Sequence, residues 1–182
     1  MRTIVLCLAL LGSTTAIAAP DRHPGHHVAL SISPIHLVLP VAEVQAEIYL
    51  GTQLSAALIG GYGVVTAEVN NKDESFTVWE AGGQIRGYFY GTSTEGAFGA
   101  LELLYTGVDT EIDTISGQAD GLAVGAVAGY KWVWSSGFLF DLNGGISRVQ
   151  MTAEAQDQSG NQENKTESKI MPVLNLNLGW AF

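Results

Sequence analysis

Apolar residues recur at every second position along most of the chain. At its end, Ile170, Pro172, Leu174, Leu176, Leu178, Trp180 and Phe182 alternate with Met171, Val173, Asn175, Asn177, Gly179 and Ala181. A strand turns successive side chains to opposite faces, so this segment has one oily face and one small or polar face. The same rhythm places Val44, Ala46, Ile48 and Leu50 against Glu43, Gln45 and Glu47. It sets Trp79, Ala81, Ile85 and Phe89 against Glu80, Gln84, Arg86 and Tyr88. Leu101, Leu103 and Tyr105 flank Glu102, while Leu122, Val124, Ala126, Ala128, Tyr130 and Trp132 alternate with Gly125, Gly129 and Lys131. Phe138, Phe140 and Leu142 alternate with Asp141 and Asn143. Helical spacing fits none of these segments.

The pattern predicts eight strands, near 26–34, 40–50, 53–67, 76–91, 96–108, 119–134, 137–152 and 170–182. Short links at 51–52, 92–95 and 135–136 read as turns. Polar links at 68–75, 109–118 and 153–169 read as long loops, and their alternation with the turns puts the two kinds at opposite ends of an up-and-down sheet. The link at 34–40 is apolar and bracketed by Pro34 and Pro40, which suggests a capping corner or a brief helix.

Composition then says what can cover the oily faces. Of 182 residues, 47% are hydrophobic and only 14% charged, yet no amphipathic helix remains to form a second layer. Past the N-terminal segment no apolar run is long enough for a spanning helix. Arg2, the apolar stretch from Ile4 to Gly12, and Ala16-Ile17-Ala18 have the order of a secretory signal peptide, with cleavage expected after Ala18 or Ala19. The expected organisation is therefore a signal peptide at 1–19 and one domain at 20–182. Cys7, the one cysteine, falls within the leader, which suits export to an oxidising compartment. The net charge of −10 argues against a nucleic-acid partner, since phosphates are bound mainly through clustered lysine and arginine.

Lipid can cover an apolar sheet face if the sheet closes on itself, because in hydrocarbon each unpaired backbone group costs several kcal/mol and a closed barrel leaves none. The expected fold is all-β, an eight-stranded antiparallel up-and-down transmembrane β-barrel. Tyr49, Tyr88, Phe89, Tyr90, Phe98, Trp132, Trp134, Phe138, Trp180 and Phe182 all fall at the short-turn end of these strands. Rings prefer the headgroup boundary, so they are expected to mark one membrane interface, the periplasmic one. The polar faces would fill the interior with Glu43, Glu47, Glu80, Gln84, Arg86, Glu102, Lys131 and Asp141. Buried charge must be paired, so Arg86 and Lys131 are expected to neighbour carboxylates in a network that plugs the lumen.

Leu174, Leu176, Leu178, Trp180 and Phe182 resemble the C-terminal signal by which outer-membrane barrels are recognised for assembly. The chain resembles the small eight-stranded outer-membrane proteins of Gram-negative bacteria, in the neighbourhood of the OmpA barrel, OmpX and OmpW. That resemblance implies outer-membrane lipids, lipopolysaccharide and the barrel-assembly machinery as partners, and a monomer. It departs from OmpA-type proteins in that no periplasmic domain is expected after the barrel. The role it implies is non-catalytic, with no cofactor: envelope integrity or surface interaction through the loops.

Three other readings compete. Acids outnumber bases in the interior set, which would suit a narrow cation-preferring pore. A lipid A-modifying barrel enzyme needs a base within reach of a nucleophile, and His36 with Ser31 or Ser33 is the one conceivable pair. A soluble lipocalin-like carrier would point the oily faces inward around a ligand. No metal site is expected: His23, His26 and His27 are a compositional cue only, and Asp109, Glu111 and Asp113 lack the spacing of a calcium loop.

Overall fold

The computed structural model describes residues 25–35, 41–69, 72–112, 115–156 and 162–182. The expected signal peptide lies outside the described residues, as does most of the apolar link, of which Pro34 and Ile35 form a helical turn. Eight strands follow one another as β1 (Val28–Ile32), β2 (Val41–Tyr49), β3 (Leu54–Val69), β4 (Lys72–Gly91), β5 (Gly96–Ile112), β6 (Ile115–Val133), β7 (Phe138–Gln156) and β8 (Gln162–Ala181). Each pairs antiparallel with its neighbours, and β1 pairs with β8 to close the barrel. No described helix is long and apolar enough to cross a membrane, which says nothing of strands.

Register fixes the shape of the closed sheet. Starting from Ser31 and moving from partner to partner through Gln45, Ile59, Gly82, Leu104, Ala123 and Val149 leads to Lys169. Lys169 lies ten residues before Gly179, the residue with which Ser31 itself pairs on β8. That stagger tilts the strands by about 40° and leaves an interior just wide enough for side chains to fill.

The side-chain parity divides the molecule into an apolar exterior and a polar interior. Leu58 and Phe89 are each 73% exposed and Leu101 70%, whereas Arg86 and Lys131 are fully buried. Leu58, Leu101, Leu103 and Leu174 all face outward, which removes the lipocalin-like arrangement. On the outward parity there is no charged residue from Leu54 to Val64, Trp79 to Phe89, Ala97 to Gly107, Leu122 to Trp132, Phe138 to Ile146 or Ile170 to Trp180. Beyond these limits come Asp120 and Arg148, so the apolar zone is a belt with sharp edges.

Aromatic rings line both edges. At the turn end Tyr90, Tyr130, Trp132 and Phe140 stack in sequence at centroid distances of 6.5, 4.5 and 5.3 Å, and Trp134, Phe138 and Trp180 continue the row at 5.3 and 6.2 Å. At the other end Tyr62 and Trp79 are register partners, and Trp79 lies 5.5 Å from Tyr105. This second girdle was not anticipated from the sequence. Three rings expected at the interface are elsewhere: Tyr88 and Phe98 are buried inside the barrel and Tyr49 is half-buried against the interior cluster. They sit on the polar parity, so closure turns them inward. A bulge between Tyr88 and Tyr90 then shifts the register, leaving both Phe89 and Tyr90 exposed.

The long polar links are shorter than expected. Residues 68–75, 109–118 and 153–169 belong largely to β3 to β8, whose ladders continue until 70–71, 113–114 and 157–161 are left between them. Polar residues beyond an apolar belt can pair in water as well as they can loop, and here Thr66 bonds Ser75, Arg148 bonds Ser168 and Thr152 bonds Thr166. Gly99 lies with Leu101 on the outward face. The β1–β8 seam is the shortest, with four register pairs from Ile32 to Leu178. The earlier part of β8 pairs only with β7 among the described residues, and Pro172, which has no N–H to donate, lies on that edge.

Two turns need glycine. Gly91 and Gly137 have φ of 77° and 90°, in the left-handed region, and a Cβ on Gly137 would stand 2.8 Å from the Ala181 carbonyl oxygen. Gly137→Ala is expected to lower stability by about 1–3 kcal/mol, read as an earlier urea midpoint of the refolded protein.

Candidate functional site: the charged lumen

The eight interior residues singled out in the sequence come from five strands whose inward parity stacks them in two tiers. Glu43, Glu47, Gln84, Arg86, Glu102, Lys131 and Asp141 are all buried and Glu80 is half-buried. The structure brings four of them into one ion-paired cluster near the turn end. Arg86 Nη1 lies 2.6 Å from Asp141 Oδ2 and 3.3 Å from Glu47 Oε2, and Lys131 Nζ lies 2.8 Å from Glu47 Oε1. These residues are far apart in sequence, and only the closed barrel places them together.

Hydrogen bonds fill out the cluster. Ser55 Oγ donates to Glu47 Oε1 at 2.5 Å, and the Tyr88 hydroxyl donates to the same oxygen at 3.0 Å. Asn143 Nδ2 donates to Asp141 Oδ1 at 2.9 Å, and Asn175 Nδ2 to Asn143 Oδ1 at 3.2 Å. Arg86 Nε donates to Gln84 Oε1 at 2.9 Å, and Gln84 Nε2 passes the link on to Glu102 Oε2. Rings cover the cations: the Arg86 guanidinium lies 4.7 Å from the Phe98 centroid, and Lys131 Nζ lies 4.4 Å from Tyr49 and 5.0 Å from Tyr88. Two bases thus meet two carboxylates with aromatic walls, and buried side chains occupy this tier of the lumen.

Glu43 and Glu80 do not join that cluster. They lie in a second tier toward the polar hairpins, where Glu43, Gly61 and Glu80 are successive register partners and a Cβ on Gly61 would collide with the Glu80 side chain. Together with Glu102 they line a cavity of about 340 Å³. Sequence reading missed Ser55, Tyr88, Asn143 and Asn175 as cluster members. The signal was present, since each lies on the same parity as the residues it bonds.

Leu174 and Trp180 are exposed on the outer face of β8, with Leu176 and Leu178 half-buried between them. Phe182 is exposed beside the closure, where its carbonyl oxygen accepts from His27 N at 2.5 Å and its N–H donates to the Val28 carbonyl at 2.8 Å. Ser31 and Ser33 face inward, while His23 and His36 lie outside the described residues. Asp109 and Glu111 lie within β5 and Asp113 outside the described residues. Among the described residues no three His, Cys, Asp or Glu side chains converge as metal ligands.

Comparison with protein-family models, curated proteins and solved structures returns no match, so the narrower likeness to the OmpA barrel, OmpX and OmpW has no support from relatives. What fold and site define is a class: a closed eight-stranded β-barrel, apolar outside, with an ion-paired interior.

Proposed function

We propose that the protein is a non-catalytic integral barrel of a bacterial outer membrane, with a side-chain-filled lumen and a role in envelope integrity or surface interaction through its polar hairpins. The observation that carries this reading is the apolar belt between two aromatic girdles. Phe89 lies ten residue steps beyond Trp79 on β4. At about 3.3 Å per residue and a tilt of about 40° they span about 25 Å, the height of the apolar band of outer-membrane barrels. The secretory pattern at 1–19 supports export. The alternating outward residues of β8, Leu174 through Trp180, suit recognition by the barrel-assembly machinery. Outer-membrane lipids and lipopolysaccharide are the partners such a belt requires, and a belt covered by lipid on all sides needs no second subunit.

Folded barrels of this kind resist SDS until boiled, so the refolded protein is expected to migrate differently before and after heating. Unchanged migration would count against the reading. A cation-preferring pore is the second reading, since the outer tier is acidic. The Glu47–Arg86–Asp141 and Glu47–Lys131 bridges oppose it, because an ion would have to break them to pass. In planar bilayers the protein is expected to give no reproducible unitary steps, and regular cation-selective steps would overturn the plugged lumen.

A further inference from the structure

β8 carries an unpaired edge where it leaves the apolar belt. β1 pairs with it only from Leu178 onward, so Gln162 to Asn177 have a strand neighbour on the β7 side alone among the described residues. β4 to β7 have partners on both sides to within four residues of their outer ends, and β3 leaves six. An edge of this length presents rows of N–H and C=O groups that match another extended chain. Thr166 to Ile170 are exposed on both faces.

The ladder shows which groups face the open side. Phe182 exchanges both main-chain bonds with Val28, whereas Ala181 N donates to the Gly137 carbonyl beside β7. β8 keeps its register with β7 without a bulge, so its even-numbered residues turn their N–H and C=O toward the open side and its odd-numbered residues toward β7. Ile170, Ser168, Thr166, Asn164 and Gln162 therefore form the edge. Pro172 holds the next such position and has no N–H, which removes a donor at the margin of the belt. The Thr166 and Ser168 side chains bond back to Thr152 and Arg148 of β7. The chain's own link cannot cover this edge: with Ile32 opposite Leu178, residues 33–40 reach out and back to Val41 no further than Pro172.

From this arrangement we infer that β8 from Gln162 to Ile170 is a docking edge that takes an extended segment of another polypeptide as a ninth strand, antiparallel to β8. Main-chain bonds to five residues supply the affinity, and the side chains exposed on both faces supply the selectivity. Lys169, at the foot of the edge, favours an acidic residue opposite it. A second copy fits poorly. Upright in the same membrane, its β8 would run parallel, the weaker ladder, and Lys169 would face Lys169 in the matched register. Sugars of lipopolysaccharide offer no row of donors and acceptors at the two-residue spacing of about 7 Å. The inference deepens the proposed surface role and rests on the barrel reading only for which side of the membrane the edge faces.

The test uses the refolded protein in detergent and a fluorescent peptide copying Val149 to Gln156 of β7, the sequence that already pairs with β8 on its other side. Before peptide is added, amide hydrogen exchange followed by NMR is expected to be fast at Thr166 and Ser168 and slow at Glu167 and Lys169. Saturable binding by fluorescence anisotropy is expected, with exchange at Thr166 and Ser168 slowed in the complex. Ser168→Pro removes a donor from the open side and none from the β7 ladder, so it should weaken binding about tenfold while heat-modifiable migration persists. Thr166→Ala, which keeps the main chain, should bind like the wild type. A peptide methylated on its interior backbone nitrogens should not bind. Slow exchange at Thr166 and Ser168 in the free protein would mean that the edge is already covered, and would overturn the inference. So would no binding to heat-modifiable protein, binding indifferent to Ser168→Pro or to methylation, or protection of these amides by lipopolysaccharide or by raised protein concentration. Wild-type protein lacking a heat-modifiable form would instead sink the barrel reading, and the edge with it.

Discussion

Replacing Glu47 with leucine should cost about 3–5 kcal/mol, the largest loss expected from any single lumen substitution, because it takes the carboxylate from buried Lys131 and leaves Arg86 with Asp141 alone. Lys131 Nζ and Arg86 Nη1 both bond the Glu47 carboxylate, which also accepts from Ser55 and Tyr88. Neither cation has water to turn to, since both are fully buried. Equilibrium unfolding of the refolded protein in urea, followed by tryptophan fluorescence, measures the loss. A second substitution, Lys131→Met, should recover a good part of it by removing the charge that was left without its partner. A Glu47→Leu protein as stable as the wild type would mean that the interior cluster is hydrated and that the plug does not exist as described.

The second large effect comes from the outside. Leu101 is 70% exposed and lies midway between Ala97 and Tyr105 on the outward face of β5. On a protein in water, arginine at such a position would be nearly neutral. At the midplane of a bilayer it should cost about 2–4 kcal/mol. Leu101→Arg is therefore expected to fold poorly into vesicles, whereas Ser75→Arg, beyond the belt on β4, should be tolerated. Vesicle insertion scored by the heat-modifiable band separates the two. Equal insertion of both variants would remove lipid as the cover of the outer face.

The wall of the barrel was legible in the sequence because closure needs only the period of two, and that period is uninterrupted from Ile170 to Phe182 and from Leu122 to Trp132. The inward set from Glu43 to Asp141 was legible for the same reason. Strand ends were not: Asn71-Lys72-Asp73-Glu74 has the residues of a loop, yet Lys72 and Asp73 pair with Val69 and Glu68 at the tip of a hairpin that extends beyond the belt. Aromatic placement misled at Tyr88 and Phe98, since nearness to a turn says nothing about parity, and the bulge beside Tyr90 leaves no trace in composition. The partners in the plug were out of reach as well. Whether Arg86 meets Asp141 or Glu102 depends on the ten-residue stagger around the ring, which appears only when β1 has closed on β8.

Spin labels on the outer face examine lipid contact most directly. In a Cys7→Ser background, Leu58→Cys and Leu174→Cys would carry the label on the apolar belt and Ser75→Cys beyond it, in protein inserted into vesicles. The expected result is that molecular oxygen, concentrated in acyl chains, relaxes the labels at 58 and 174 while a water-soluble nickel chelate reaches only the label at 75. Access of the nickel chelate to 58 and 174 as freely as to 75 would contradict a membrane-embedded barrel.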